Sequence, residues 1–139
     1  MQGFLHNVYT GRRSGSGTTA SATRGIGSTP GVGVRALRLE PGPRSPEEIM
    51  RSAGEALYVQ SVSGLHSGTN PISGDFSVGA EGLMVRDGEL AEPVREVTIA
   101  STLQRMLLDI AEVGNDLTFL PGSIAGQTVL IGEMTLSGA

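Results

Sequence analysis

The stretch DFSVGAEGLMVRDGELAEPV, residues 75–94, decides the fold. It contains two strand-like runs, Asp75–Val85 and Glu89–Val94, on either side of the dipeptide Asp87-Gly88. Asp and Gly tolerate the positive φ angles that a two-residue hairpin turn requires. The pattern therefore predicts two antiparallel strands joined at this dipeptide.

Two helices are predicted outside the hairpin. Ser45 is a natural N-cap, Pro46 suits the first helical position, and Glu48 can complete a capping box, so a helix is predicted over 46–57. Apolar residues repeat at helical spacing over 99–112 and predict a second helix packed in the core. Other strands are predicted at 4–8, 32–39, 58–62, 117–120 and 127–136. We therefore expect an α+β fold, rich in mixed or antiparallel strands.

The chain has the length of one domain. Its 139 residues are enough for one hydrophobic core, and residues 10–33 are so rich in Gly, Ser and Thr that a loop is predicted there. The chain opens abruptly on an apolar run. We therefore expect residues 1–139 to be a single domain from a longer, two-domain protein.

The composition excludes several kinds of site. There is no Cys, which removes disulfides and thiolate chemistry, and no apolar run is long enough to span a membrane. No secretory signal is recognisable, so a cytoplasmic location is expected. Only His6 and His66 could act as imidazole bases or ligands, and neither lies in a known zinc motif. His66 could at most contribute a single metal ligand, and no catalytic residue is assigned.

Charge is unevenly distributed along the sequence. Residues 1–51 carry seven Arg and three Glu, whereas the remainder carries three Arg and eleven acidic residues. A basic stretch can bind nucleic acid, but here it contains only two aromatic residues and no recognisable binding motif. Complementary charge within the fold or between subunits is the favoured interpretation, and nucleic-acid binding is disfavoured.

Residues Ser63–Asp116 carry several ordered motifs at once. They are Ser73-Gly74-Asp75-Phe76-Ser77, Asp87-Gly88-Glu89, Pro93-Val94, Thr98-Ile99-Ala100 and Val113-Gly114-Asn115-Asp116. In this order the motifs resemble the C-terminal domain of the TldD/PmbA family. Weaker similarity extends over most of the chain.

This resemblance implies one part of a two-subunit zinc metallopeptidase. In the family, one subunit type carries the metal on an H-E-x-x-x-H motif that would lie upstream, with a Cys after the Val-Gly-Asn-Asp motif. Residues 117–127 contain no Cys, and the chain resembles the other, PmbA or TldE, type. The resemblance thus implies a non-catalytic partner subunit that binds no cofactor itself. Zinc would reside in a TldD-like partner, although a homodimer is a further option.

The family's processing of peptides implies an extended substrate along sheet edges, in a cleft between subunits. Gly79 and Gly82 interrupt a predicted strand, which indicates a bulge or the close approach of another backbone, such as a peptide. The candidate cleft residues are His66, Asn70, Asp75, Ser77, Gly79 and Gly82. Asp75 is also expected to accept backbone N–H bonds in a Gly-rich turn.

Two alternatives remain open. In the first, His66 completes a metal site. In the second, the chain is a peptide- or DNA-associated binding or assembly module without a role in proteolysis, as the family's older naming as a modulator of DNA gyrase suggests.

Overall fold

The computed structural model describes residues 3–34, 37–122 and 124–138. The chain divides into two compact units, Met1–Leu39 (unit 1) and Glu40–Ala139 (unit 2). This division leaves the assignment of residues 1–139 to one domain of a longer protein as a prediction. Among the described residues, no helix is long and apolar enough to cross a membrane.

Unit 1 begins with a short helix. Helix α1 (Val8–Ser14) starts where the Asn7 side chain accepts a hydrogen bond from the Thr10 amide at 2.8 Å, while the Thr10 hydroxyl accepts one from the Asn7 amide at 3.1 Å. This reciprocal cap satisfies two amides that a helix start leaves open. The strand predicted at 4–8 is therefore wrong.

The remainder of unit 1 is largely irregular. Strands β1 (Ala22–Thr23) and β2 (Gly31–Val32) form an antiparallel pair of two residues each. The segment 10–33, predicted as a loop, thus contains this pair and the end of α1. The predicted strand 32–39 is reduced to Val32, and its residues Arg35 and Ala36 lie outside the described residues.

Unit 2 contains three helices and eight strands among the described residues. In chain order these elements are α2 (Pro46–Ala53), β3 (Ala56–Ser63), α3 (Leu65–Gly68), β4 (Asp75–Arg86), β5 (Glu89–Thr102), α4 (Leu103–Leu108), β6 (Ile110–Val113), β7 (Thr118–Leu120), β8 (Ile124–Gly126), β9 (Val129–Ile131) and β10 (Thr135–Ser137). Its main sheet is antiparallel and has the strand order β10-β5-β4-β3. Two further strand pairs, β6 with β9 and β7 with β8, are also antiparallel, so the prediction of a sheet-rich α+β fold is confirmed.

The predicted hairpin is confirmed as the centre of this sheet. Arg86 pairs with Glu89, and the two residues between them, Asp87 and Gly88, have φ angles of 51° and 80°. Positive φ at both turn positions matches the right-handed twist of the flanking strands. The amide of Gly88 also donates to the carbonyl of Gly54 at 3.0 Å, which ties the turn to the end of α2.

Helix α2 starts as predicted and ends early. Ser45 caps it through a capping box with Glu48, and Pro46 is its first residue. Gly54 ends it with a φ of 67°, so the residues from 56 onward join β3 instead of continuing the predicted helix to 57. The strand predicted at 58–62 is confirmed within β3.

The helix predicted over 99–112 is wrong for most of its length. Ile99 pairs with Val78 across the sheet and belongs to a buried cluster with Ala80 and Val97. Only Leu103–Leu108 is helical, capped by Thr102, and β6 follows at Ile110. The helix is not core, because Leu107 and Leu108 are 71% and 82% exposed.

The end of the chain contains shorter strands than the sequence suggests. The strand predicted at 117–120 is confirmed as β7. The strand predicted at 127–136 is divided into β9 and β10 by a bend at Gly132. The amide of Gly132 still donates to the carbonyl of Asp109 at 2.8 Å, beside the last pair of β6 and β9. This division lets β9 pair with β6 while β10 pairs with β5.

Candidate substrate-binding surface

The loop between β3 and β4 holds His66 and Asn70. The structure places the one-turn helix α3 within this loop. His66 lies on α3 and is exposed, and no described residue forms a hydrogen bond or ion pair with its side chain. Gly68 lets α3 approach β4, because a Cβ on Gly68 would overlap the carbonyl oxygen of Ser77.

Asn70 organises the turn that leads into β4. Its side-chain oxygen accepts hydrogen bonds from the amides of Ile72 at 2.9 Å and Ser73 at 3.2 Å. The backbone N–H of Asn70 donates to the backbone carbonyl of Asp75 at 2.9 Å, and the backbone carbonyl of Asn70 accepts from the backbone N–H of Gly74 at 2.8 Å. Four hydrogen bonds to one exposed residue indicate a structural role in the turn.

We predict that Asn70→Ala loosens this turn. Loss of the two side-chain bonds is expected to lower the free energy of unfolding by about 1 kcal/mol, the usual net value of such bonds. Amide hydrogen exchange in residues 72–75 should accelerate. Asn70→Asp keeps an acceptor oxygen and should retain wild-type exchange rates, and equal acceleration in both variants would contradict the assignment.

Asp75 and Ser77 are the first exposed residues of one face of β4. The carboxylate of Asp75 accepts a hydrogen bond from the hydroxyl of Ser73 at 2.6 Å. The expected backbone N–H bonds to this carboxylate are absent among the described residues, because the Asn70 side chain accepts those of the turn. The structure thus brings Asn70 and Asp75 together and leaves His66 without a bonded partner in the described chain.

Gly79 and Gly82 lie in β4, which has β3 on one side and β5 on the other. A Cβ on Gly82 would overlap the carbonyl oxygen of Tyr58 in β3, so the predicted close approach of another backbone is confirmed. The bulge predicted in the glycine-bearing strand lies in its neighbour instead: between the pairs 80–97 and 82–94 the extra residue belongs to β5, where Glu96 has a φ of 55°. The approaching backbone is β3, so neither glycine needs a bound peptide to explain it.

One free edge of the sheet lies at β3, and the other lies at β10. Strand β3 pairs with β4, and no described residue pairs with its other side. Its sequence, ALYVQSVS, has no charge and no Pro, and Tyr58, Val59 and Val62 are 38% to 40% exposed. The run of strand-forming residues was recognisable in the sequence, but its position at the sheet edge depends on distant pairing.

The unpaired part of β5 differs from β3 in the residues that it exposes along its edge. Since β10 covers only positions 98–100, residues 89–97 of β5 have β4 as their single strand neighbour among the described residues. Glu89, Glu92, Pro93 and the bulge at Glu96 lie there, and charge, Pro and bulges all disfavour the addition of another strand. The other terminal strand of the described sheet, β10, is only three residues long. The longest uncharged edge of that sheet is therefore β3.

The described residues do not form a zinc site. They contain no group of three or more His, Cys, Asp or Glu side chains placed to hold a metal ion. His66 cannot make a site by itself, because zinc centres take at least three protein ligands. No step of a reaction is therefore assigned to a metal on this chain.

The Val113-Gly114-Asn115-Asp116 motif has a structural role. The carboxylate of Asp116 accepts hydrogen bonds from the amide of Thr128 at 3.0 Å and from its hydroxyl at 2.8 Å. The amide of Gly114 donates to the carbonyl of Thr128 at 2.8 Å. Burial raises the pKa of Asp116, but the hydrogen bonds from Thr128 outweigh burial and hold this pKa below its usual value.

The same motif is joined to the start of α2. The amide of Asn115 donates to the carbonyl of Arg44 at 2.9 Å, and the guanidinium of Arg44 binds the carboxylate of Glu112 at 2.7 Å and 2.8 Å. Both contacts come from one nitrogen, Nη1, while Nη2 donates to the carbonyl of Glu48 at 2.6 Å, so the guanidinium is held from two sides. The motif thus connects the N-terminus of α2 to the strands β6 and β9.

A family model described as the PmbA/TldA metallopeptidase C-terminal domain matches residues 1–138. The chain belongs to the TldD/PmbA family. This membership confirms the resemblance that the sequence motifs indicate, and it covers both units of the chain.

Family members in several organisms are similar to the chain. Metalloprotease PmbA of Escherichia coli O157:H7 is 33% identical over 97% of the chain and 27% of its own length. A metalloprotease of Methanothermobacter thermautotrophicus is 27% identical over 96% of the chain and 30% of its own length.

Solved structures of the family share the fold. A protein of Thermotoga maritima, described as a proposed modulator of a DNA gyrase, superimposes with a TM-score of 0.85 and 32% identity over 99% of the chain and 31% of its own length. TldE of Thermococcus kodakarensis gives a TM-score of 0.74 and 25% identity over 99% of the chain and 32% of its own length. The chain thus spans less than a third of each of these relatives.

Proposed function

We propose that the chain is the C-terminal domain of a partner-type subunit, without catalytic residues of its own, in a TldD/PmbA-like metallopeptidase that processes peptides in the cytoplasm. Zinc and the catalytic residues would come from a TldD-like subunit. The observation that carries this proposal is the uncharged free edge of β3. Membership of a metallopeptidase family and the likeness to TldE support it.

A free strand edge suits a substrate of extended peptide. Unpaired N–H and C=O groups along β3 can bond a peptide backbone whatever its sequence, and the side chains then add selectivity. Tyr58, Val59 and Val62 provide apolar contacts beside that edge. We therefore assign the substrate edge to β3 in place of Gly79 and Gly82, which lie in the interior of the sheet, while His66, Asn70, Asp75 and Ser77 remain predicted neighbours of the cleft.

The assignment as a partner subunit is tested on the parent protein purified alone and together with a TldD-like subunit. Alone, it should retain no stoichiometric zinc and leave unfolded peptides intact, whereas the mixture should cleave them. Elemental analysis gives the metal content and mass spectrometry the cleavage products. Stoichiometric zinc in the parent protein alone would refute the proposal, and loss of that zinc in a His66→Ala variant would favour a metal site that includes His66.

We predict that Val62→Lys weakens peptide capture. A charged side chain at this edge disfavours strand addition, and a loss of about 1.4 kcal/mol raises the KM of the complex for an unfolded peptide about tenfold. The matched control is Leu90→Lys, on the free part of β5, where 50% of the side chain is exposed. This control should leave KM unchanged.

A second measurement tests the edge without altering the protein. A peptide that is N-methylated at alternate residues cannot donate hydrogen bonds from one of its edges. Methylation on one edge should abolish cleavage and methylation on the other should be tolerated, because an added strand pairs through a single edge. Equal tolerance of both would exclude β3 as a strand-docking site.

The alternative is a DNA-associated assembly module without proteolysis. Unit 1 carries five Arg and no Asp or Glu, and one structural neighbour is described as a proposed modulator of a DNA gyrase. Counterion release makes such binding fall steeply with salt. Salt-dependent DNA binding at physiological ionic strength, together with no effect on peptide cleavage by the mixture, would favour this alternative.

A further inference from the structure

Unit 1 contains an open groove of about 700 Å³ that the proposed function does not use. It lies between the first turns of α1 and the residues that precede β2. Val8, Ala22 and Pro30 give it apolar walls, and Tyr9 lies at its side. The guanidinium-bearing side chain of Arg12 lines the same groove.

The two sides of the groove are tied together by Asn7. This residue is only 6% exposed, and its side-chain nitrogen donates to the carbonyls of Pro30 at 3.3 Å and Gly31 at 3.4 Å. Its side-chain oxygen accepts from the amide of Thr10 at 2.8 Å. Asn7 thus uses its donors and its acceptor to hold the walls in place and leaves recognition of a ligand to the other side chains.

Arg12 has no counter-charge among the described residues of unit 1. It is exposed, and it makes no ion pair or side-chain hydrogen bond with any described residue. Residues 1–39 contain no Asp or Glu at all. In unit 2, by contrast, Arg44, Arg86 and Arg105 each bind a carboxylate. A guanidinium remains charged at every physiological pH and binds carboxylates through two parallel hydrogen bonds.

We propose that this groove binds an apolar peptide segment that carries a carboxylate, with the carboxylate on Arg12 and the apolar side chain against Val8 and Pro30. The carboxylate has two sources, the C-terminus of a peptide or an Asp or Glu side chain within it. Nucleic acid is disfavoured because Tyr9 is the single aromatic residue among the described residues that line the groove, whereas sites for single-stranded nucleic acid stack successive bases on several aromatic side chains. The site is independent of the proposed function, which uses β3 of unit 2.

The test measures binding of fluorescent peptides to the full-length parent protein. Three peptides share one apolar sequence: the first ends in a free carboxylate, the second is amidated, and the third is amidated with one internal Glu. We expect either the first or the third to bind at least about tenfold more tightly than the second, a difference of about 1.4 kcal/mol. Whichever it is identifies the source of the carboxylate.

Variants assign the effect to Arg12. Arg12→Gln should abolish the preference for a carboxylate and Arg12→Lys should retain part of it. The control is Arg13→Gln, which removes the same charge next to the groove from a residue that does not line it. Arg12 is exposed, so its variants should keep the wild-type melting temperature, which separates loss of binding from loss of fold.

Three outcomes would overturn the proposal. The first is equal binding of all three peptides by the wild-type protein, including no binding at millimolar concentration. The second is an equal loss of peptide affinity in Arg12→Gln and Arg13→Gln, which would indicate that the peptide is attracted by net charge alone. The third is displacement of the bound peptide by single-stranded DNA with a steep salt dependence, which would assign the groove to nucleic acid. None of these outcomes bears on cleavage at β3, so the two proposals fail separately.

Discussion

Gly82→Ala should lower the free energy of unfolding by about 3 kcal/mol, at the upper end of the cost of overpacking. The added methyl group would overlap the carbonyl oxygen of Tyr58 and lie 3.1 Å from the Cα of Val59. These atoms belong to the backbone of β3 and cannot rotate away, so β3 must separate from β4. Urea denaturation of the purified protein measures the loss.

Two other glycines provide matched controls. A Cβ on Gly79 would lie 2.5 Å from the Ser63 hydroxyl oxygen, which can rotate away, and a Cβ on Gly126 would meet nothing within 4 Å. Gly79→Ala should therefore cost about 1 kcal/mol or less, and Gly126→Ala should have no measurable effect. If Gly79→Ala proved as costly as Gly82→Ala, close packing of β3 against Gly82 would not be the cause.

Asp116→Asn should destabilise the protein by about 2 kcal/mol at pH 7, because charged acceptors make the stronger hydrogen bonds. The folded state holds the pKa of Asp116 below the reference value of 3.8. The ionised group therefore stabilises the fold fully above about pH 5, and this contribution is lost as the pH falls through the lower folded-state pKa. Urea denaturation at pH 7 and pH 3 measures both parts.

The effect of Asp116→Asn should thus shrink with acid. At pH 3 the Asp116 side chain of the unfolded wild-type protein is largely protonated. The difference in the free energy of unfolding between the wild type and the variant is therefore smaller at pH 3 than at pH 7. Thr128→Val removes the hydroxyl donor and keeps the amide, so its loss should be about half as large. A variant effect that is the same at both pH values would show that the carboxylate charge is not responsible.

Local patterns predicted the elements that depend on local chemistry. Asp87-Gly88 predicted its turn because the two φ angles are a property of those residues, and Ser45 predicted the start of α2 because its cap lies within one turn. The end of α2 could not be predicted in the same way. Ala56 and Leu57 suit a helix, and pairing with Val85 and Met84 of β4 decides that they form a strand.

The helix predicted over 99–112 was wrong for a related reason. The apolar spacing from Ile99 onward fits a helix, but Val97 and Ile99 also alternate, and both become buried beside Val78 and Ala80. Burial against a distant strand therefore outweighed the helical pattern. At the start of the chain, the apolar run 4–8 concealed the capping pair of Asn7 and Thr10.

The candidate site was only partly predictable. A Gly-rich turn before Asp75 was expected, but its backbone N–H groups bond to the Asn70 side chain and not to the Asp75 carboxylate, which accepts from the Ser73 hydroxyl. The position of β3 at the sheet edge was not, because edge position is a property of the strand order. Likewise, the groove at Arg12 depends on residues more than ten positions apart in sequence.

The short strand β10 covers a segment of β5 that could otherwise pair with another copy of the protein. It pairs with positions 98–100 of β5, within the run VTIAST, which is the uncharged and strongly strand-forming part of that strand. Such segments, when exposed, are templates for cross-β assembly between chains. The three residues of β10 thus cover the part of β5 that has no Glu or Pro to disfavour pairing with another chain.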